Sequence, residues 1–284
     1  MSTALRAMAP AQRIRFRAAY LTHLRARDGV PDLRERSFDV RERFFERIDA
    51  EPVRWEGASP VDPDVFARNH VAPAPEPGLD AATLWALATA KVNRAEQFGV
   101  EMKIDHVGDE VTNVDDPYTY IQVEETYHTR ILRDVLATLG LQMEVATPQA
   151  GTRLLIRGMV HMPEGLANVA ILCGEIFGVA VFSLLLDKAR ELFAAQPVVL
   201  ERMEELFAQI LVDEVGHVHF VRSTLGPAGI RLARWMLPVV ANATLRDIPE
   251  LVALFGREAI LTRVLAADVD GAAAGYEDRM VVEG

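Results

Sequence analysis

The pattern Glu-x-x-His occurs twice in this chain, as Glu125-Thr126-Tyr127-His128 and as Glu214-Val215-Gly216-His217, 89 residues apart. On an α-helix, positions i and i+3 lie about 60° apart around the axis, so each Glu and His pair projects from one face. A further carboxylate precedes each copy: Glu96, 29 residues before Glu125, and Glu175, 39 residues before Glu214. If these four helical faces converge, two imidazoles and four carboxylates meet in one interior. The rest of the sequence has to be compatible with that demand.

Glu175 sits near the middle of Leu166–Leu186, a 21-residue stretch that is otherwise almost wholly apolar. Such a run is long enough to cross a bilayer, but an isolated carboxylate at its centre is costly in lipid. A buried bundle helix whose glutamate meets a cation accounts for both features, so a soluble chain with no membrane partner is expected. Glu175 is the only acid in that run. Glu96 shares its predicted helix with Glu101, which leaves the choice between them open.

Helical signals dominate from residue 80 onward. Asp80 can cap a first helix reaching about Ile104. A second is expected from Pro117 to Leu139, where Gly140 stops it. Residues 141–162, with Pro148, Gly151 and Gly158, read as a long connection. A third helix is expected over 163–195 and a fourth from Pro197 to about Gly226. Two more follow at 228–245, broken or kinked at Pro238, and at 250–267, before a poorly ordered Ala/Gly-rich tail from Asp268. Upstream, Ala9–Arg27 and Val40–Ile48 have helical composition, and Pro60, Pro63, Pro73, Pro75 and Pro77 mark an irregular strap. The expected fold is all-α: a four-helix bundle over 80–226, an Arg-rich helical and strap region over 1–79, and helices with a tail over 227–284. One long crossover between the second and third helices is the ferritin-like arrangement.

A net charge of −11 in 284 residues argues against a nucleic-acid partner, which would need a basic face. The first 54 residues run the other way, with 12 arginines against 8 acids. They could form a docking surface, although a solvated helix face laced with its own acids is the plainer reading. Cys173 is the only cysteine, which excludes an intrachain disulfide and a multi-cysteine metal site within one chain. A reducing, cytoplasmic setting fits. The first 30 residues lack a long apolar core, so no secretory signal is expected.

The acid that precedes each motif, giving Glu124-Glu125-x-x-His128 and Asp213-Glu214-x-x-His217, extends the pattern. Over about residues 80–222 the chain resembles the di-iron carboxylate oxygenases: methane-monooxygenase-like hydroxylases, acyl-carrier-protein desaturases, ribonucleotide reductase small subunits and arylamine N-oxygenases. The resemblance implies that Glu96, Glu125, His128, Glu175, Glu214 and His217 hold two iron ions, or an iron and a manganese. Glu124 and Asp213 would accept the second N–H of the opposite imidazoles. It also implies a monooxygenase-type oxidoreductase that hydroxylates or N-oxygenates a small organic substrate with dioxygen. Electrons would come from a separate reductase or ferredoxin, since no Gly-rich dinucleotide fingerprint is present. The nearest style is that of the arylamine N-oxygenases, but Ile210 stands where they place a third histidine. Leu132 stands where a reductase radical tyrosine would be, and His217 is a residue that storage ferritins lack. A carrier-protein desaturase docking on the Arg-rich segment, a ferroxidase, and a bundle with purely structural buried salt bridges are the alternatives. A homodimer is compatible with all of them.

His219, two residues after His217 and about 200° further round the helix, is expected to pack rather than to ligate. His106 and His161 are expected in loops or at the surface. Tyr127 and Cys173 are read as packing residues. Gly174 and Gly178, flanking Glu175, would either leave room for a substrate or allow close helix contact.

Overall fold

The computed structural model describes residues 3–28, 39–107, 117–145 and 147–272; for Glu96, residues 103–107, Leu155 and Val160 it describes the backbone alone. Among these residues every regular element is helical. Of the tail expected from Asp268, the residues from 273 onward lie outside the described residues, and Val269–Ala272 is helical.

Four helical segments form the centre. The first is a broken pair, α4 (Ala81–Val92) and α5 (Arg94–Val107), followed by α6 (Pro117–Thr138), α8 (Glu164–Leu192) and α9 (Pro197–Thr224). α9 packs against α8 and α6, and α4 closes the square by packing on the same two. Asp80 caps α4 by accepting from the Thr83 amide at 2.8 Å, and Pro197 occupies the first turn of α9. Trp85 locks the far end of the square. Its ring meets Phe193 edge-on at 4.9 Å and Phe207 at 6.3 Å, and its Nε1 donates to the Leu185 carbonyl at 2.7 Å. The apolar run is α8, long enough to span a membrane by length and composition, but with 78% of its most apolar window buried inside the protein. α4, α9 and α10 cover it.

Several elements differ from the sequence expectation. The helix expected over 80–104 is interrupted at Asn93, whose amide turns back to the Lys91 carbonyl and whose side chain donates to Thr129 Oγ1 on α6 at 2.9 Å. The connection after α6 contains a helix, α7 (Ala150–Val160), that packs on α5. The proline strap contains α3 (Pro63–His70), because Asp62 accepts from the Asp64 and Val65 amides and Pro63 opens the first turn. α10 (Pro227–Asp247) is one helix with Pro238 inside it, so of the break or kink expected there the break does not occur. The last expected helix is two, α11 (Pro249–Phe255) and α12 (Arg257–Ala266), split at Gly256, where φ is +79°. A short α13 (Val269–Ala272) follows.

The N-terminal helices lie against the bundle. α1 (Pro10–Asp28) packs on α9 and α6 and also on α2 (Asp39–Ala50). Phe16, Tyr20 and Leu24, four residues apart, form its buried stripe. Arg13 donates to the Ser223 and Thr224 carbonyls at 2.7 and 2.8 Å, satisfying acceptors that the end of α9 leaves open.

Candidate metal centre

Glu125 and His128 come from α6, Glu214 and His217 from α9, and Glu175 from α8; all five are buried. The 3.6-residue repeat turns both motif residues of α6 and of α9 toward the same space. Glu125, Glu175, Glu214 and His217 each place a ligand-type atom within 4.8 Å of the others. His217 Nδ1 lies 2.9 Å from Glu125 Oε1 and 3.5 Å from Glu175 Oε2. His128 Nδ1 lies 3.1 Å from Glu125 Oε2 and 3.4 Å from Glu214 Oε1. The two imidazole centroids are 6.0 Å apart.

These atoms lie within contact distance, but they are too poorly aligned to make good hydrogen bonds. Glu125 Oε2, Glu175 Oε2, both carboxylate oxygens of Glu214, and the Nδ1 atoms of His128 and His217 are buried without a hydrogen-bond partner. Leaving a buried polar atom unsatisfied costs about 1–3 kcal/mol, so six at one place are a large liability unless a cation meets them. Carboxylate oxygens and imidazole nitrogens are donors that suit iron or manganese. The residues present therefore fit a pair of such ions.

The outer imidazole nitrogens are tied back across the bundle. His128 Nε2 on α6 lies 3.1 Å from Asp213 Oδ2 on α9, and His217 Nε2 on α9 lies 3.0 Å from Glu124 Oε2 on α6. Each acid sits one residue before its own helix's Glu and serves the other helix's His. With a cation in the site, Nε2–H would donate outward and Nδ1 would present its lone pair inward.

Without metal, protons take the place of cations. Burial pushes the Glu214 carboxyl up to about 8, with Glu125 and Glu175 adding to the rise and His128 opposing it. Burial would also raise Glu125, but His128 and His217 outweigh it and hold that carboxyl at about 2. Burial would lower both imidazoles, yet the carboxylates around them hold His128 and His217 well above the usual histidine range. Asp213 is held well below the carboxylate range: burial is outweighed by Arg41, Arg27 and His128.

Glu96 lies on α5, which packs against α6, but its side chain is outside the described residues, as is that of His106. His219 is turned away from the site, with Nε2 2.7 Å from Asp270 Oδ1. His161 is exposed at the end of α7. Cys173 is buried against the Ala233 carbonyl at 3.5 Å. Tyr127 stacks on Phe45 at 5.4 Å and its hydroxyl donates to Glu42 at 3.1 Å. A Cβ at Gly174 would meet nothing within 4 Å among the described residues.

Three residues near the site were not legible beforehand. Arg27 of α1 and Arg41 of α2 both reach the outer acids, and Tyr20 of α1 lies against Gly216 inside the second motif. A Cβ at Gly216 would stand 2.9 Å from Tyr20 Oη, so a larger residue would force the ring to shift. The available signal was weak: a glycine inside an ExxH motif and an arginine excess in the first 54 residues.

Comparison with protein-family models, with curated proteins and with solved structures finds no match.

Proposed function

We propose that this chain is a ferritin-like di-iron oxidoreductase that uses dioxygen to hydroxylate or N-oxygenate a small organic substrate. The observation that carries this reading is the set of six unsatisfied donor atoms on three helices, gathered in one buried space while both imidazole Nε2 atoms are tied back. Glu125, His128, Glu175, Glu214 and His217 would hold the ions, with Glu96 the sixth ligand that the sequence pattern supplies. An iron and manganese pair is compatible with the same donors. When bound, such a pair supplies reductive activation of dioxygen.

The chain's own contribution is orientation and exclusion of water. The five described inner side chains are almost wholly withdrawn from solvent, and Glu124 and Asp213 fix the imidazole tautomers. A small substrate would approach past Gly174, which is half-buried and where a Cβ would meet nothing within 4 Å among the described residues. Electrons would come from a separate reductase or ferredoxin in a cytoplasmic setting.

The alternatives stand less well. A structural salt-bridge network would pair the inner glutamates with arginine or lysine, whereas they face imidazoles and one another, and the arginines go to the outer acids. A desaturase docking a carrier protein on the N-terminal segment would have to use its exposed arginines, since Arg13, Arg27 and Arg41 are spent on internal carbonyls and carboxylates.

The test is elemental analysis after anaerobic loading with Fe(II), then dioxygen uptake with a pool of small arylamines and hydrocarbons. About two irons per chain and a product carrying one labelled oxygen atom are expected. Uptake that oxidises iron alone would make the chain a ferroxidase. A chain that ignores iron, or Glu125→Ala and Glu214→Ala variants that both keep two ions, overturns the reading.

A further inference from the structure

The two N-terminal helices meet the two motifs separately. α1 rests on the second motif, with Tyr20 packed against Gly216 and stacked on Phe220 at 5.4 Å. α2 rests on the first motif, with Phe45 stacked on Tyr127 and Glu42 accepting from its hydroxyl. The variable positions within Glu-x-x-His are therefore the docking points for α1 and α2.

Each docked helix delivers one arginine to the outer acids. Arg41 of α2 is buried and places Nη2 2.9 Å from Asp213 Oδ1 and 3.0 Å from Oδ2, with its guanidinium 5.7 Å from the Tyr127 ring centre. Arg27 of α1 donates to Glu124 Oε1 and lies 3.0 Å from Asp213 Oδ1. One linked network results: Arg41 holds Asp213, which meets His128, and Arg27 bridges Asp213 and Glu124, which meets His217. Two buried carboxylates so near the inner glutamates would be electrostatically intolerable without cations of their own. The two arginines offset the charge of the two outer acids, which leaves the inner carboxylates to balance the metals.

We infer that Arg27 and Arg41 are positioning residues of the metal centre: Arg41 holds Asp213, and Arg27 bridges Asp213 and Glu124, so that both acids accept from the imidazoles and each Nδ1 faces the metals. This rests on the proposed metal site and extends it: Arg27 and Arg41 of the Arg-rich N-terminal segment belong to the centre. An arginine is suited to the task because its guanidinium is a fixed plane of donors that stays charged when buried.

The experiment is titration of the full chain with Co(II), whose visible absorption reports ligand number and geometry, with affinity measured against a competing chelator. Arg41→Met is expected to weaken one of two bound ions by about ten-fold or more and to change its band, as loss of a partner behind a metal-bound imidazole does. Arg41→Lys, which keeps a charged donor, should recover most of that loss. In an Asp213→Asn background, Arg41→Met should add little further, because both changes break the same link to His128. Should Arg41→Met not fold, Arg41→Gln carries the same expectation. A folded variant within two-fold of wild type, or an Arg41 effect that adds in full to that of Asp213→Asn, overturns the inference while leaving the metal site standing. A wild-type chain that takes up no Co(II) overturns both.

Discussion

His217 Nε2 and Glu124 Oε2 lie 3.0 Å apart across the bundle, although 93 residues separate them in sequence. His128 and Asp213 repeat the contact in the opposite direction. Neither imidazole can rotate without giving up its acid, so the site is preorganised before any ion arrives. Glu124→Gln and Asp213→Asn keep shape while removing the charge that fixes the tautomer. Each is expected to lower metal affinity by about 10–100-fold, as measured by chelator competition. Unchanged affinity in both would mean that the crosswise contacts are incidental.

Gly216→Ala should be poorly tolerated for a reason unrelated to ligation. The added methyl meets the Tyr20 hydroxyl and ring edge at 2.9 and 3.0 Å, and overpacking of this kind costs about 1–3 kcal/mol. A lowered melting temperature is expected, partly restored by adding Tyr20→Phe, which removes the nearest atom. If the single variant melts like wild type, α1 does not sit where described.

Metal-free protein should become less stable as pH rises. Glu214, whose ordinary value is 4.5, is raised to about 8 by burial and by its carboxylate neighbours. A group raised in the folded state contributes stability that is full below the unfolded value and is lost as pH climbs through the folded one. His128 and His217, also raised, act with the same sign. Glu125, held at about 2, contributes stability above 4.5 that is lost only in strong acid. Calorimetry should therefore show the melting temperature falling between about pH 5 and pH 9, and Glu214→Gln should flatten that fall. A flat wild-type profile would count against a crowded carboxylate cluster.

His219→Ala is expected to leave metal content intact. Its imidazole is held by Asp270, which His219 and Thr3 pull down to about 2 against burial, so the variant should loosen α13 instead. Metal analysis paired with limited proteolysis separates the two effects, and loss of an ion would make His219 a ligand.

The elements that carry the site could be read from the sequence because their signals are local. The ExxH spacing, the Asp80 cap and the lone glutamate in an apolar run each imply a helix and a face. What could not be read depended on partners distant in sequence. α7 contains Gly151 and Gly158, which argue for a loop, yet packing on α5 makes it helical, with Ile156 3.8 Å from the Cβ position of Gly99. α3 was hidden because Pro63 reads as a breaker unless Asp62 is seen as its cap. Nothing local separates Arg41, which is buried, from Arg43, which is exposed two residues on. Only the position of α2 against Tyr127 does.

α8 also sets a problem of timing during synthesis. Its apolar surface is covered in part by α9 and α10, which follow it in the chain and end at Asp247. Between the completion of α8 at Leu192 and that of α10, 55 further residues must be added. At 5–20 residues per second this leaves a span-length apolar segment without that cover for about 3–11 s. A bilayer would otherwise be a ready substitute for the absent helices, and Glu175 makes it a poor one, since a carboxylate at mid-membrane is expensive. The residue that faces His217 in the finished protein thus also raises the cost of lodging the unfinished chain in lipid.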